Sequence, residues 1–332
     1  MLKLKTPNNI ETLVPENPAE DNTPKFQIDN NNKILEAKRF YDENGYVIIR
    51  NIFSKKVCDT LRNFWQNEIK SYEGKIYRQT TSSAEVNHFN KNNWVMNPIL
   101  NIQSLNPKYF SGFRNYADQN IFSYSELCKI LFVFFDEKPK FVQSMYFEGN
   151  SATWEHQDTY YLDSEIIGSM IAGWIALEDI SVDAGRFFVC PLSNKIDLIK
   201  QVKINNYAYN HDRYIHEVVS LIKEKNLKII APYLEKGDVL FWNSKTIHGS
   251  LDSQSKSYSR SSITFHAIPE SHRFLQFQSR IKNIKTDDLG ESLIFRPKDQ
   301  SKLKNRMIFE IETTFPKIFY FFKKKLINNL IK

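Results

Sequence analysis

The second half of the chain consists of short β-type runs, and this feature most limits the folds that the sequence can adopt. From Lys140 onward, β-branched and aromatic stretches alternate with Gly, Pro, Asp and Asn, as in KFVQSMYFEG, SMIAGWIALEDIS, GRFFVCPLS, EKGDVLFWNS and RSSITFHAIP. Runs of this kind bounded by turn residues are typical of strands. A helical pattern does not follow each run, so the sequence favours an antiparallel sandwich or barrel over a parallel α/β sheet.

The first half reads mainly as helix. The stretch KILEAKRFYDENGYVIIRNIFSKKVCDTLRNFWQNEIK predicts a helix that stops at Gly45, the strand YVIIR, and a second helix with Ser54 as its N-cap. Residues 73–112 are polar and weakly periodic, which predicts a long covering loop, and residues 121–136 again predict a helix.

These patterns divide the chain into three parts. Residues 1–32, rich in Asn, Pro and acidic side chains, are predicted to be a flexible N-terminal arm. Residues 33–275 form the predicted main domain, with its β core at 140–270 and an insertion near 196–230. Residues 276–332 are predicted to be a helical tail.

Composition narrows the class of protein. A chain of 332 residues with 41% hydrophobic side chains can bury a sizeable core. Its net charge of +7 is spread along the chain rather than clustered with aromatics, so nucleic-acid binding is not expected.

The three cysteines and the N-terminus indicate the compartment. Cys58, Cys128 and Cys190 lack CxxC spacing, which predicts reduced core residues and no zinc site. The N-terminus has no apolar signal segment, and no run of 18 apolar residues occurs, so a cytoplasmic protein is expected.

The stretch TWEHQDTYYLD, residues 153–163, places His156 and Asp158 two positions apart. In a strand such residues project from one face, about 7 Å apart along the chain, and can converge on one ion. His-x-Asp is common by chance, however, and an ordinary strand or turn face is the alternative.

Two further residues strengthen the metal hypothesis. His248 ends the run EKGDVLFWNSKTIHGS, 90 residues after Asp158, and Arg260 lies 12 residues beyond it. Two imidazoles and one carboxylate on one face of Fe(II) leave open positions for a chelating cosubstrate and O2. An arginine can hold the far carboxylate of a 2-oxo acid with two hydrogen bonds.

Residues 34 to about 270 resemble the phytanoyl-CoA dioxygenase family of Fe(II)/2-oxoglutarate oxygenases. The resemblance rests on FYDENGYVIIRNIFSKKVCDTLR, HQD, GWIALEDISVDAGRFFVCPLSNK, KGDVLFWNSKTIHGS and the following Arg260, in that order. Leu192 and Asn194 depart from the family's usual Gly and His in one turn. The resemblance implies a mainly β fold with flanking helices around a double-stranded β-helix (jelly-roll, cupin-like) core.

The same resemblance implies the roles of individual residues. His156, Asp158 and His248 would ligate iron, and Arg260 would bind the distal carboxylate of 2-oxoglutarate. Ser250 would add a hydroxyl to that carboxylate, Trp174 would line the cosubstrate or substrate pocket, and Gln143 is a weaker cosubstrate candidate.

For other candidate site residues, a structural role is the alternative to a functional one. His88, Arg78 and Arg186 are candidate substrate contacts. The favoured alternatives are that His88 is a solvated loop residue and that both arginines are surface charges. His266 is expected to be a packed core histidine, with a contact behind the metal site as the alternative. Glu155 is a distant second choice for the third ligand, because it should point to the opposite face from His156.

The C-terminal stretch FPKIFYFFKKKLINNLIK places Phe319, Phe322, Leu326 and Leu330 on one helical face beside three lysines. Packing against the protein's own domain is the favoured hypothesis, and contact with an anionic membrane is the less favoured one.

The predicted activity is hydroxylation of a small-molecule substrate with release of succinate and CO2. Desaturation, epimerisation or ring formation by the same fold, and a catalytically inactive binding module, remain as alternatives.

Overall fold

The structure is a computed structural model that describes residues 1–149, 152–196, 198, 210–254, 257–277 and 280–321. Its strands are β1 (Leu2–Lys5), β2 (Glu11–Val14), β3 (Lys25–Gln27), β4 (Tyr46–Arg50), β5 (Ile76–Tyr77), β6 (Ala84–Glu85), β7 (Ile99–Leu100), β8 (Pro139–Phe147), β9 (Thr153–His156), β10 (Leu162–Ser164), β11 (Ile171–Ala176), β12 (Phe187–Val189), β13 (Val239–Asn243), β14 (His248–Ser250), β15 (Ser262–Pro269), β16 (Phe274–Gln276), β17 (Arg280–Lys282), β18 (Thr286–Asp288) and β19 (Leu293–Phe295). The α-helices are α1 (Asn31–Asn44), α2 (Lys55–Phe64), α3 (Pro107–Ala117), α4 (Ser125–Phe135), α5 (His211–Glu224) and α6 (Leu303–Thr314).

A large sheet forms the centre of the fold. Its strand order is β18-β19-β8-β15-β11-β13-β4-β3, with β7 paired to β8 beside this path. The central pairs β8-β15, β15-β11, β11-β13 and β13-β4 are all antiparallel. The predicted antiparallel, mainly β architecture with flanking helices is confirmed.

Alternation along the strands gives the large sheet two buried faces. Val239 and Phe241 of β13 join the cluster formed with the helices, while Leu240 and Trp242 join a second cluster on the other face. Both faces are apolar because both are covered. This explains why the strand sequences read as nearly continuous hydrophobic runs.

The helices α1 to α4 contribute to the first cluster. The predicted boundaries are confirmed: Ser54 Oγ accepts a hydrogen bond from the Val57 amide at the start of α2, and Gly45 ends α1 with φ of 79°. Gly45 is suited to this position because a positive φ costs glycine little.

A second, three-stranded sheet of order β12-β14-β9 covers the other face. Phe187 of β12 lies with its ring centre 4.7 Å from that of Trp242 on the large sheet. In the register of the small sheet, His248 lies opposite His156 and Val189 opposite His248. The two distant histidines are therefore brought together by direct strand pairing.

The prediction of a flexible N-terminal arm is wrong. Strands β1 and β2 form a hairpin in which Leu4 and Val14 are buried, and β3 extends the large sheet beside β4. The polar composition was misleading because Thr12 Oγ1 and the carbonyl of Pro15 form hydrogen bonds with the main domain.

Two further predicted segments differ from the structure. The predicted helical tail begins with strands β17, β18 and β19, and its described helix α6 starts only at Leu303. The predicted covering loop includes the short strands β5, β6 and β7 and the start of α3. Of the apolar stripe predicted near the C-terminus, Phe322, Leu326 and Leu330 lie outside the described residues.

Candidate active site

Three polar side chains meet between the two sheets. His156 is the last residue of β9, Asp158 begins a 3-10 turn two residues later, and His248 begins β14. Asp158 Oδ1 lies 3.8 Å from His156 Nε2 and 3.5 Å from His248 Nε2. One candidate ligand atom from each residue lies within 4.8 Å of the others, so the three can reach a single ion.

The backbone keeps His156 and Asp158 on one side, although the strand itself ends at His156. Gln157 between them remains extended, with φ of −107° and ψ of 139°. Because side chains alternate along an extended backbone, the side chains of residues 156 and 158 point the same way.

Each histidine is oriented by a backbone carbonyl. His156 Nδ1 lies 2.8 Å from the Trp154 carbonyl oxygen, and His248 Nδ1 lies 2.9 Å from that of Thr246. Each Nδ1 therefore carries the proton, which leaves each Nε2 lone pair available for a metal. Burial, together with the neighbouring His248, lowers the pKa of His156 to about 3, so this imidazole is neutral.

Two side chains contact the second carboxylate oxygen of Asp158. Trp242 Nε1 donates to Asp158 Oδ2 at 2.8 Å, and His266 Nε2 lies 3.4 Å from the same oxygen. Burial acts to raise the pKa of Asp158, but the nearby His248 and His266 outweigh it and hold that pKa well below its usual range. Two imidazoles and one carboxylate match the donor set that holds Fe(II) in non-haem oxygenases.

Arg260 is a buried cation on the wall of the same cavity. Its Nη1 donates to the Gly185 carbonyl at 2.8 Å, while its Nε has no hydrogen-bond partner among the described residues. Within the described part of the chain, no carboxylate forms an ion pair with it, and burial lowers its pKa to about 9. A buried guanidinium without a counter-charge fits an anionic ligand.

The cavity has a volume of about 1490 Å³ and contains the other predicted cosubstrate residues. Trp174, Ser250 and Gln143 all line it, together with the triad and Arg260. Ser250 Oγ accepts a hydrogen bond of 2.9 Å from the Thr153 amide, which fixes the hydroxyl at the rim of β9.

The three predicted substrate contacts lie away from this cavity. His88 is exposed on the loop, and neither Arg78 nor Arg186 lines the cavity wall. The two arginines are also not surface charges. Arg78 is fully buried and donates to the carbonyls of Glu85 and Asn97, while Arg186 donates to those of Ile180 and Pro15. Both cross-link backbone segments, and burial lowers the pKa of each to about 10.

Glu155, the second choice for the third ligand, points away from the cavity as expected. Its buried carboxylate accepts hydrogen bonds from Thr6 Oγ1 and Asn8 Nδ2 of the N-terminal segment.

Sequence reasoning missed several residues around the site. His266 was expected in the core, but it takes the alternative position behind Asp158. It follows Arg260 by an even number of residues, so strand alternation favours the cavity face. Trp242 lines the cavity as well. His211 also lies on the cavity wall, where its Nε2 is 2.7 Å from the Tyr161 hydroxyl.

Comparison with known proteins agrees with this geometry. The model of the family described as phytanoyl-CoA dioxygenase (PhyH) matches residues 41–262, about two thirds of the chain. The chain belongs to the phytanoyl-CoA dioxygenase family. The human and bovine peroxisomal phytanoyl-CoA dioxygenases are each 23% identical over 256 residues, which cover 73% of this chain and 70% of each relative.

Solved structures share the fold. The alpha-ketoglutarate-dependent carbocyclase SnoK from nogalamycin biosynthesis matches with a TM-score of 0.52 and 17% identity, covering 72% of this chain and 85% of its own. The epimerase SnoN from the same biosynthesis matches with a TM-score of 0.51 and 13% identity, covering 80% and 99%.

Family membership and the His-Asp-His cluster together define the enzyme class. The chain is a non-haem iron oxygenase that uses Fe(II) and 2-oxoglutarate. Within the described residues, no helix has the length and apolar character needed to cross a membrane.

Proposed function

We propose that this enzyme hydroxylates a small-molecule substrate, with iron held by His156, Asp158 and His248. The proposal rests on one observation. The triad lies on the wall of the same cavity as Arg260, and no carboxylate of the described residues forms an ion pair with Arg260. We further propose that the two facing sheets form the double-stranded β-helix core expected from the sequence.

Each residue has a distinct task in this proposal. Arg260 binds the distal carboxylate of 2-oxoglutarate, and Ser250 donates a second hydrogen bond to it. Trp174 and Gln143 border the cosubstrate. The iron, when bound, supplies the activation of O2 and the coupled oxidation of cosubstrate and substrate, which yields succinate and CO2. The protein supplies orientation and a water-poor cavity.

The cavity lining favours an acidic substrate with an apolar part. Apart from Asp158 and Arg260, the lining contains one acidic residue, Glu310, and six basic ones: Lys75, Lys108, Arg280, Lys282, Lys298 and Arg306. Apolar side chains such as Val142, Met145 and Phe274 make up much of the remaining wall. The excess of positive charge attracts an anionic group to this cavity.

Epimerisation or ring formation is the second candidate, because an epimerase and a carbocyclase are among the proteins of similar fold. The complete triad speaks against an inactive binding module.

Anaerobic reconstitution tests the proposal. Wild-type protein with Fe(II) and 2-oxoglutarate should show the visible charge-transfer band of a 2-oxo acid chelated to Fe(II), and His248→Ala should lose it. A wild-type protein that binds Fe(II) without this band would overturn the proposal. Exposure to O2 with candidate acids then separates the outcomes: hydroxylation adds one oxygen atom, ring formation or desaturation removes two hydrogens, and epimerisation leaves the mass unchanged.

A further inference from the structure

Gln157 lies between the two ligand residues His156 and Asp158, and its backbone is bound on both sides by one hydroxyl group. The Gln157 amide donates to Tyr214 Oη at 2.7 Å, and Tyr214 Oη donates to the Gln157 carbonyl at 3.1 Å. Both residues are 2% exposed. Because these groups are buried, neither peptide group can exchange its partner for bulk water.

The Tyr214 hydroxyl is itself held in place by packing. The Tyr214 ring stacks on that of Tyr160 with centres 4.0 Å apart and an angle of 14°. Tyr214 lies in the first turn of α5, and Val218 and Ile222 on the same helical face are buried in the same apolar cluster. The packing of α5 therefore fixes the position of the Tyr214 hydroxyl.

The Gln157 side chain extends the connection to the third ligand. Its Nε2 donates to the Lys245 carbonyl, in the turn that leads into β14. The next carbonyl in that turn, of Thr246, accepts from His248 Nδ1 and sets the orientation of the imidazole. One residue thus joins the segment that carries His156 and Asp158 to the segment that carries His248.

We propose that Tyr214 and Gln157 are positioning residues that hold the three ligands in metal-binding geometry. The inference rests on the proposed iron site. Groups that orient metal ligands typically change metal affinity by about 10- to 100-fold when they are removed. The inserted helix α5 therefore acts on the metal through the backbone of Gln157, without contributing a ligand.

The test compares Tyr214→Phe with Tyr160→Phe. The first removes the hydroxyl that binds Gln157, while the second removes a hydroxyl from the stacked partner ring and keeps both Gln157 hydrogen bonds. Mn(II) is titrated into each apoprotein, and free Mn(II) is followed by electron paramagnetic resonance well below the unfolding temperature. Tyr214→Phe should bind Mn(II) about tenfold or more weakly, and Tyr160→Phe should bind like wild type.

Each outcome decides the question. Equal Mn(II) affinity of the two variants would overturn the positioning role, even if Tyr214→Phe unfolds at a lower temperature. If Tyr214→Phe does not fold, Gln157→Met decides instead, because it removes the side-chain bonds to the Lys245 and Ile196 carbonyls and keeps the backbone bonds to Tyr214. Weaker Mn(II) binding supports the role, and wild-type affinity refutes it. If wild-type protein binds Mn(II) no better than His248→Ala does, the proposed iron site itself fails, which distinguishes the two failures.

Discussion

Arg260→Met should separate stability from cosubstrate binding. Arg260 is 2% exposed and donates one hydrogen bond to the Gly185 carbonyl, and its Nε has no partner in the part of the chain that the structure describes. The Phe147 and Trp174 rings lie 5.4 and 5.9 Å from its central carbon, so its surroundings are largely apolar. Such a charge is stabilised only when an anion binds beside it.

The magnitude follows from the protonation equilibrium. Burial lowers the pKa of Arg260 from 12.5 to about 9. A difference of this size corresponds to roughly 5 kcal/mol against the charged form in the fold. Because the depressed pKa lies above neutral pH, the side chain stays charged and this cost weakens the apoprotein at pH 7. Methionine removes the cost and fills a similar volume, so apo Arg260→Met should be as stable as wild type or more stable.

Cosubstrate affinity should change in the opposite direction. Losing one partner of a buried ion pair costs about 3–5 kcal/mol, which is a loss of roughly two to four orders of magnitude in 2-oxoglutarate affinity. Arg260→Lys keeps the charge but loses the planar fork, and a loss of about tenfold or more is expected. Denaturant unfolding measures the first effect, and calorimetric titration of 2-oxoglutarate into Mn(II)-loaded protein measures the second.

Arg78→Met is the matched control, because Arg78 is equally buried but donates to carbonyls away from the cavity. It should lower the free energy of unfolding by about 1–3 kcal/mol through unsatisfied acceptors and leave 2-oxoglutarate affinity unchanged. An apo Arg260→Met protein that is clearly less stable than wild type, or one that binds 2-oxoglutarate normally, would refute the reasoning.

Three further changes have defined outcomes. Asp158→Gly should weaken Fe(II) binding and abolish most product formation, since it removes the only charged group of the described triad; product formed at the wild-type rate would exclude Asp158 as a ligand. Native protein should resist iodoacetamide at neutral pH, because burial raises the pKa of Cys58 and Cys128 to about 12 and that of Cys190 further; alkylation seen by mass spectrometry before unfolding would contradict this burial. Deletion of residues 1–8 removes Thr6 and Asn8, which donate hydrogen bonds to the buried Glu155 carboxylate. The free energy of unfolding should therefore fall by at least about 1–3 kcal/mol. The control Lys3→Ala breaks only an exposed ion pair and should change the free energy of unfolding by less than about 1 kcal/mol.

Local patterns predicted the elements of the fold but not the segments whose role depends on tertiary contacts. Ser54 and Gly45 mark helix ends by rules that act within a few residues, and the structure confirms them. The N-terminal hairpin could not be predicted in this way. Leu4 and Val14 are too few to form a periodic pattern, and the hairpin is held by groups far away in sequence, such as the Ile229 carbonyl.

The candidate site shows the same division. Residue type and spacing made His156, Asp158, His248 and Arg260 candidates, and the family resemblance implied their roles. The structure places all four on the wall of one cavity. The residues that position these four side chains have no distinctive sequence pattern. Tyr214 was not singled out, since a tyrosine on an amphipathic helix normally packs in a core, and its hydrogen bonds to Gln157 exist only because α5 docks on β9.

We propose that substrate choice depends on parts of the chain that the family motifs do not include. The family match ends at residue 262, whereas the cavity wall continues through Phe274, Arg280, Lys298 and Met307. Phe274, Arg280 and Met307 belong to β16, β17 and α6, and Lys298 lies between β19 and α6. Tyr77 of β5 and Gln79 also line the wall. In the proposed function the triad and Arg260 bind Fe(II) and 2-oxoglutarate, whereas these walls contact the substrate. Exchanging the segment after residue 270 should therefore change which acid is oxidised while Fe(II) and 2-oxoglutarate still bind.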